Sequence, residues 1–217
     1  MCEAGKLFSP DGIRAYTVST AIGLLRSTGL RVSEATLLKI KDVRLSEGYL
    51  FISSSKFKKD RIVPLHPTAI EELMNYRDFI TEKLGNRGDT EYFFVSSYGH
   101  AFNTRAFEYA FQLIRSVLSK TSTHGKTRKV RLYDIRYTFA CDIIKRWLEA
   151  GEDVNQRLHL LSTYMGHIKP ADTYWYLSAT PELLAISCRL YEAAFVGELQ
   201  TVCQPHSRCI DTLRSEI

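Results

Sequence analysis

The stretch TGLRVSE at residues 28–34 decides how the N-terminal part of this chain folds. Apolar residues recur at helical spacing before it and again in RVSEATLLKI, and Gly29 separates the two runs. The sequence therefore predicts two helices between Ser9 and Lys41, with a tight glycine turn between them. Arg31 falls at the start of the second helix, where exposed backbone amides and the helix dipole favour an anionic ligand.

A β-hairpin is predicted after this helix pair. The runs YLFISS (49–54) and RIVPL (61–65) are rich in β-forming residues, and the cationic connection SKFKKD (55–60) lies between them. Lys56 follows the end of the first strand. The pattern then predicts a helix near residues 68–84, a short strand at EYFFVS (91–96), a turn at 98–100 and a helix over 103–119.

The second half of the chain predicts a cationic loop followed by three helices. KTSTHGKTRKVR (120–131) holds five cationic residues and no acidic one, which fits either a solvated loop or a loop that contacts phosphate. LYDIRYTFACDIIKRWLEAG (132–151) and LHLLSTYMGH (158–167) predict helices that end at glycines. PELLAISCRLYEAAFVGEL (181–199) is apolar all round, which favours packing of part of this helix against another protein molecule.

Composition describes an ordinary globular chain. Of its 217 residues, 45% are hydrophobic. The net charge of +5 is compatible with a polyanionic partner, but many soluble enzymes have a similar charge. The five cysteines are odd in number and scattered, and no apolar run is long enough for a membrane span, so a reducing cytoplasm is the expected location. The segment CQPHSRC (203–209) offers three candidate zinc ligands, fewer than the four of a structural zinc site, so no metal is expected.

Two enzyme classes are disfavoured by the motifs that the sequence lacks. No glycine-rich phosphate loop of the Walker type is present, which argues against an ATPase. No cluster of carboxylates is present either, which argues against a two-metal nuclease. We therefore expect no cofactor.

Four landmarks together resemble the tyrosine recombinases, also called phage integrases, in their order and spacing. They cover about 150 residues, and the hairpin lysine lies between two arginines as it does in that family. The run DTYWYLSATPELL (172–184) is most similar to recombinases of mobile insertion elements. The landmarks are TGLRVSE (28–34), SKFKKDRIVPL (55–65), YDIR (133–136) and MGHIKPADTYWY (165–176).

The resemblance implies an α+β, mainly helical fold, that of the tyrosine recombinase catalytic domain, with a small antiparallel sheet built from the hairpin and EYFFVS. We expect this domain to span residues 1–199, with the helix at 181–199 as the piece exchanged between neighbouring subunits and 200–217 as a flexible tail. The N-terminal DNA-clamp domain of the family is expected to be absent from this chain.

Catalytic roles also follow from the resemblance. Arg31 and Arg136 would grip the scissile phosphate, where planar, permanently charged guanidinium groups suit the developing negative charge. Lys56 would protonate the departing 5′ oxygen, and His167 would hydrogen-bond the phosphate or orient its neighbours. The nucleophile should lie nine residues after His167, at Tyr176, with Tyr174 as the alternative.

Tyr133 is the sixth predicted catalytic residue, and other positions are given supporting roles. Tyr133 stands where the family usually has histidine, and a phenol can donate a hydrogen bond to phosphate but cannot accept a proton near neutral pH, so a slower enzyme or a shifted base is expected. Glu34 is expected to hold the first arginine, Asp134 to be structural, and Tyr137 and Tyr164 to be packing residues. Contacts to the DNA backbone are predicted for Lys58, Lys59, Arg61, Lys126, Arg128 and Lys129.

The function that this resemblance implies is cleavage and rejoining of double-stranded DNA through a 3′-phosphotyrosyl intermediate, by a homo-tetramer on DNA or an assembly with related recombinases. The alternative is a truncated, catalytically weak module that binds DNA or a recombinase, which Tyr133 and the missing clamp domain favour. A third interpretation is a type IB-like topoisomerase, which uses the same set of residue types.

Overall fold

A computed structural model of the chain describes residues 7, 9–53, 60–115, 129–167, 169 and 171–174. Helices dominate it. The helices are α1 Ile13–Thr28, α2 Val32–Thr36, α3 Pro67–Leu84, α4 Thr104–Ile114, α5 Asp134–Glu149, α6 Val154–Met165 and α7 Ala171–Tyr174. The strands are β1 Val43–Arg44, β2 Tyr49–Ile52 and β3 Arg61–Pro64, and a 3₁₀ turn covers Ile40–Asp42.

The predicted helix pair with its glycine turn is confirmed. Helix α1 ends at Thr28, and Gly29 follows in the left-handed conformation with φ of 63°. Its backbone N–H donates to the Leu25 oxygen at 2.9 Å, which closes the last turn of the helix. The chain then needs only Leu30 before Arg31 opens α2.

The predicted antiparallel sheet is present, but one of its predicted strands was wrong. The hairpin is formed by β2 and β3, and the third strand is β1 rather than EYFFVS. Phe93, Phe94 and Val95 are all nearly inaccessible to solvent, so the segment does not alternate between two faces as a half-exposed strand does. Within EYFFVS only the isolated bridges of Tyr92 and Val95 are formed.

Two apolar clusters make up the core. The larger one joins α1, the sheet, α3, α4 and the EYFFVS segment, and Tyr76 lies at its centre with ring contacts to Tyr16, Phe93 and Phe94. The smaller one packs α5 on α6, where Phe139 stacks on Tyr164 at 5.9 Å. Tyr164 and Tyr137 both belong to this smaller cluster, which confirms their prediction as packing residues.

Several predictions fall on residues outside the described ranges. They concern the loop at 120–128, the helix at 181–199 and the tail at 200–217. Among the helices that the structure describes, none is both long and apolar enough to cross a membrane. The described residues also contain no grouping of three or more His, Cys, Asp or Glu side chains that could hold a metal ion.

Candidate active site

Gly29 brings together the two halves of the candidate site. A Cβ at this position would lie 2.3 Å from Cδ1 of Phe139, so only glycine allows α5 to approach the end of α1 this closely. The left-handed φ also favours glycine here. The turn thus places Arg31 at the start of α2, next to the helix that carries Arg136.

Arg31 is held by both its backbone and its side chain. Its backbone N–H donates to Oε2 of Glu34 at 2.8 Å, and its Nη1 donates to Oε1 of the same carboxylate at 2.9 Å. Its Nη2 donates to the Gly166 oxygen at 2.8 Å. The expectation that Glu34 holds the first arginine is borne out by these contacts.

Glu34 is shared with a second arginine. Arg61 on β3 donates from Nη1 to Oε1 at 2.9 Å and from Nη2 to Oε2 at 2.7 Å, in the bidentate arrangement that is strongest for this pair. Although burial opposes ionisation of Glu34, the hydrogen bonds from Arg61 and from the Arg31 backbone outweigh it and lower its pKa to about 2. The carboxylate is therefore charged at neutral pH with only 5% of its side chain exposed.

Arg136 approaches from α5 and is 2% exposed. Its Nη1 donates to the Gly29 oxygen and its Nη2 to the Met165 oxygen, both at 2.6 Å. Met165 and Gly166 are the last residue and the cap of α6, so Arg31 and Arg136 each donate to a carbonyl at the negative end of the same helix. The two arginines that are 105 positions apart in sequence thus converge on one helix terminus.

His167 follows directly and lies between Arg136 and Thr173. Its Nε2 is 3.1 Å from Nη2 of Arg136, and its Nδ1 is 2.7 Å from Oγ1 of Thr173. Because a guanidinium can only donate, Nε2 must accept, which assigns the ring proton to Nδ1. Burial first, and then the neighbouring charges of Arg136 and Arg31, lower the pKa of His167 to about 4, so the ring is neutral at neutral pH.

Gly166 makes room for the arginines. Its φ is 68°, and a Cβ there would lie 3.0 Å from Nη1 and 3.3 Å from Cζ of Arg61. A side chain would therefore press on the guanidinium group that supports Glu34, while the Gly166 carbonyl itself holds Arg31. Gly29 and Gly166 thus both help to place the arginine side chains of the site.

The cluster carries an excess of positive charge. It combines the guanidinium groups of Arg31, Arg61 and Arg136 with the carboxylate of Glu34 and the neutral ring of His167. Partly buried cations attract an anion more strongly than exposed ones because water screens them less. This arrangement can bind a phosphate group and stabilise extra negative charge on its oxygens.

A groove of about 780 Å³ opens beside this cluster. Arg31 lies in its wall, and Tyr133, 57% exposed, lies at the start of α5 within reach of the same space. The phenol can donate a hydrogen bond to an anion in the groove. The groove is lined by Arg31, Val32, Ser33, Thr104, Glu108, Phe111, Gln112, Arg115, Arg131, Leu132 and Tyr133.

The structure brings together Arg31, Arg136 and His167 and places Tyr133 at the adjoining groove. Lys129 is exposed. The backbone of Tyr174 ends the short helix α7, and the choice between Tyr174 and Tyr176 as nucleophile stays a prediction. Predictions that lie outside the described residues are those for Lys56, Lys58, Lys59, Lys126, Arg128 and Tyr176.

The roles of Arg61 and Thr173 in the site were not predicted from the sequence. Arg61 was predicted to contact the DNA backbone, but both of its terminal nitrogens donate to Glu34. The two-residue alternation of β3 was the available signal, since Arg61 and the buried Val63 share one face of the strand. Thr173, which is fully buried against His167, had no comparable signal because it lies in a short, aperiodic stretch.

Comparisons with known proteins agree on one family. The family model described as phage integrase family matches residues 2–182. The protein y4rB of Sinorhizobium fredii, which carries the name integrase/recombinase, is 35% identical over 184 residues, or 83% of this chain and 57% of its own length. Tyrosine recombinase XerD of Staphylococcus saprophyticus is 29% identical over 76% of this chain and 50% of its own length.

A solved structure is similar over most of the chain. The crystal structure of XerA recombinase superimposes with a TM-score of 0.61 at 26% sequence identity, over 88% of this chain and 62% of the other. The chain spans about half the length of the curated relatives it matches.

Proposed function

This chain belongs to the phage integrase family, and from that premise we propose that residues 1–199 supply the catalytic domain of a site-specific DNA recombinase. The substrate is double-stranded DNA, and the reaction is strand cleavage and rejoining through a 3′-phosphotyrosyl intermediate. The family match and the similarity to the named relatives support this function. We also propose that the whole protein acts in the cytoplasm and needs no cofactor.

The observation that carries the proposal is the convergence of Arg31 and Arg136 on one helix terminus, in a cluster that holds three guanidinium groups. Attack on a phosphodiester produces a five-coordinate phosphorus with additional charge on the non-bridging oxygens. Two fixed guanidinium groups stabilise that charge more than they stabilise the ground state, which is the requirement for catalysis.

In the proposed reaction the Tyr176 oxygen forms a bond to the scissile phosphorus while the bond from phosphorus to the 5′ oxygen breaks. The tyrosine proton leaves to a base, and Lys56 gives a proton to the departing 5′ oxygen. The 5′ hydroxyl of a partner strand then attacks the same phosphorus and releases the tyrosine. One phosphodiester replaces another, so no ATP is needed.

His167 has a supporting role in this scheme. Its Nε2 accepts from Arg136 and its ring is neutral, so it orients the arginine without adding charge to the pocket. Thr173 fixes the ring from the other side and lies three residues before Tyr176 in the chain. The hydrogen bond therefore connects the phosphate pocket to the segment that leads to the proposed nucleophile.

The groove next to Arg31 is the proposed path of the DNA backbone away from the scissile phosphate. Arg115 and Arg131 add cationic groups to its wall, and Tyr133 adds a hydrogen-bond donor. Lys129 and the other predicted lysines and arginines of the two cationic loops would extend these contacts. The active assembly is proposed to be a tetramer of this protein, or a complex with related recombinases, on two DNA duplexes.

One observation favours the alternative of a weak catalyst or a binding module. Tyr133 occupies the groove with an exposed phenol where the family usually has an imidazole. A neutral phenol cannot take up a proton at neutral pH, so one route for proton transfer is missing. DNA binding without cleavage would follow if no other base replaces it.

A nicked suicide substrate tests the proposal, because cleavage next to the nick releases a short fragment and traps the protein on DNA. Candidate sites come from DNA that flanks the gene, and products are separated on denaturing protein gels. We expect a slower-migrating covalent band with the wild type and with Tyr174→Phe, and none with Tyr176→Phe. DNA binding without a band, even when an N-terminal clamp domain is supplied, would support the binding module instead.

A further inference from the structure

We propose that Arg61 is a positioning residue for strand cleavage, which acts through Glu34 to hold Arg31 in place rather than by contacting DNA. The inference rests on the proposed function, because it concerns the geometry of the arginine that would grip the phosphate. It assigns to this arginine a role different from that of the neighbouring lysines of the hairpin.

The contacts of Arg61 leave it poorly placed to meet DNA. Only 13% of its side chain is exposed, and both terminal nitrogens donate to the Glu34 carboxylate. Its Nε is also buried and has no hydrogen-bond partner within the described part of the chain. A phosphate could reach these donors only if the ion pair opened.

The carboxylate of Glu34 is shared evenly between the two arginines. Its Oε1 accepts from Nη1 of Arg31 and from Nη1 of Arg61, both at 2.9 Å. Its Oε2 accepts from the Arg31 backbone at 2.8 Å and from Nη2 of Arg61 at 2.7 Å. Without Arg61 each oxygen would lose one of these two donors, and the buried carboxylate could rotate away from the geometry that fixes Arg31.

Arg61 also packs against the other support of Arg31. The Gly166 carbonyl accepts from Nη2 of Arg31, and the space where a Gly166 Cβ would lie is 3.0 Å from Nη1 of Arg61. Arg61 therefore donates hydrogen bonds to one group that orients Arg31, the Glu34 carboxylate, and lies beside the residue that supplies the other, Gly166. Strand β3 supplies the rigid base, since Arg61 pairs with Ile52 and shares its face with Val63.

The test compares Arg61→Met, Arg61→Lys and a control, Arg44→Gln, which removes an exposed arginine from the same sheet. Single-turnover cleavage of the suicide substrate should fall by about 10²-fold in Arg61→Met, the cost of misplacing a catalytic group by about 1 Å. Arg61→Lys should lose less, because it keeps the charge but not the bidentate contact. Arg44→Gln should cleave like the wild type.

The salt dependence of DNA binding separates positioning from phosphate contact. Loss of one phosphate contact lowers the slope of log affinity against log salt by about 0.9, whereas a positioning residue leaves it unchanged. A slope reduced by Arg61→Met would overturn the inference. The double variant with Glu34→Gln should cleave no more slowly than the worse single variant, because the two residues act as one unit, and additive losses would also overturn it.

A measurement without DNA distinguishes failure of this inference from failure of the proposed function. Carbon-13 NMR of the Glu34 carboxyl follows its titration, and its pKa should rise from about 2 in the wild type when Arg61 is replaced by methionine. An unchanged titration beside an active wild type would overturn the inference alone. A wild type that never forms the covalent band would remove the proposed function, and the inference with it.

Discussion

Gly29→Ala should destabilise the protein strongly, because the new methyl group meets α5. The added Cβ would lie 2.3 Å from Cδ1 of Phe139, far inside van der Waals contact, and the residue would keep a φ of 63°. The left-handed conformation costs roughly 1–2 kcal/mol for a residue with a Cβ. Overpacking in a core costs a further 1–3 kcal/mol or so. Together these give a loss of about 2–5 kcal/mol, out of a total stability of about 5–15 kcal/mol.

Gly23→Ala on the same helix is the matched control. Apart from its chain neighbours and the nearby backbone of α1, no atom of the described residues lies within 4 Å of the position of its Cβ, and Gly23 is inside α1. Alanine there should stabilise the protein by about 0.5–1 kcal/mol, because glycine is a poor helix former. The two glycine-to-alanine changes are therefore predicted to have opposite signs.

Urea unfolding of both variants, followed by circular dichroism, measures the difference. Gly29→Ala should also lower Tm by about 4–20 °C for a chain of this size. Adding Phe139→Ala to Gly29→Ala should cost less than Phe139→Ala costs in the wild type, because in the Gly29→Ala background removal of the ring also relieves the clash. If Gly29→Ala unfolds at the same urea concentration as the wild type, the tight packing of α1 on α5 is refuted.

Three further predictions follow from the site. Glu34 has a pKa of about 2 in the folded protein against an ordinary value of 4.5. The ionised carboxylate therefore contributes at most about 3 kcal/mol to the free energy of unfolding. This contribution is present above pH 4.5 and is lost as pH falls towards 2. Urea unfolding over this range should show a shallower pH dependence in Glu34→Gln, and parallel curves would contradict it. Thr173→Val removes the hydroxyl that accepts from Nδ1–H of His167, and Thr173→Ser keeps it. Thr173→Val should therefore lower the cleavage rate about 10-fold and shift the nitrogen-15 NMR signals of His167, whereas Thr173→Ser should do neither. Unchanged signals in Thr173→Val would rule out the contact. Tyr133→His should raise the rate of cleavage, since an imidazole can accept a proton near pH 7, and an unchanged rate would show that proton transfer uses another group.

Folding lowers the pKa of His167, so its effect on the pH dependence of stability is opposite to that of a histidine whose pKa is raised on folding. Its folded pKa of about 4 lies below the ordinary value of 6.5, because burial and the arginines disfavour the charged ring. The unfolded chain then binds more protons between these two values, so stability falls as pH drops from 6.5 towards 4. This window lies above most of that of Glu34, which allows the two contributions to be measured separately.

The sequence was most informative where local rules act alone. The turn at Gly29, the hairpin and the helix that carries Arg136 follow from periodicity, β-propensity and helix-ending glycines. Helix α6 begins at Val154, four residues before the predicted start, because Asp153 caps it by accepting from the N–H groups of Asn155 and Gln156. Its first turn is too polar to show a helical pattern.

What could not be predicted depends on contacts between distant segments. The EYFFVS segment resembles a strand by composition, yet its N–H groups find partners outside the sheet, as Phe93 does with the Leu38 oxygen at 2.7 Å. Arg61 resembled one more cation in a basic run, and its ion pair with Glu34 is formed across 27 residues. The carbonyls that hold Arg31 and Arg136 belong to the backbone, which a sequence motif does not display.

The most direct test of the central claim is mass spectrometry of the trapped protein–DNA adduct after digestion with a protease and a nuclease. The proposed chemistry predicts one modified peptide, with a nucleotide joined through its 3′ phosphate to Tyr176. A wild-type protein that binds the suicide substrate but yields no nucleotide-bearing peptide, or one that carries the nucleotide through a 5′ phosphate, would contradict the account.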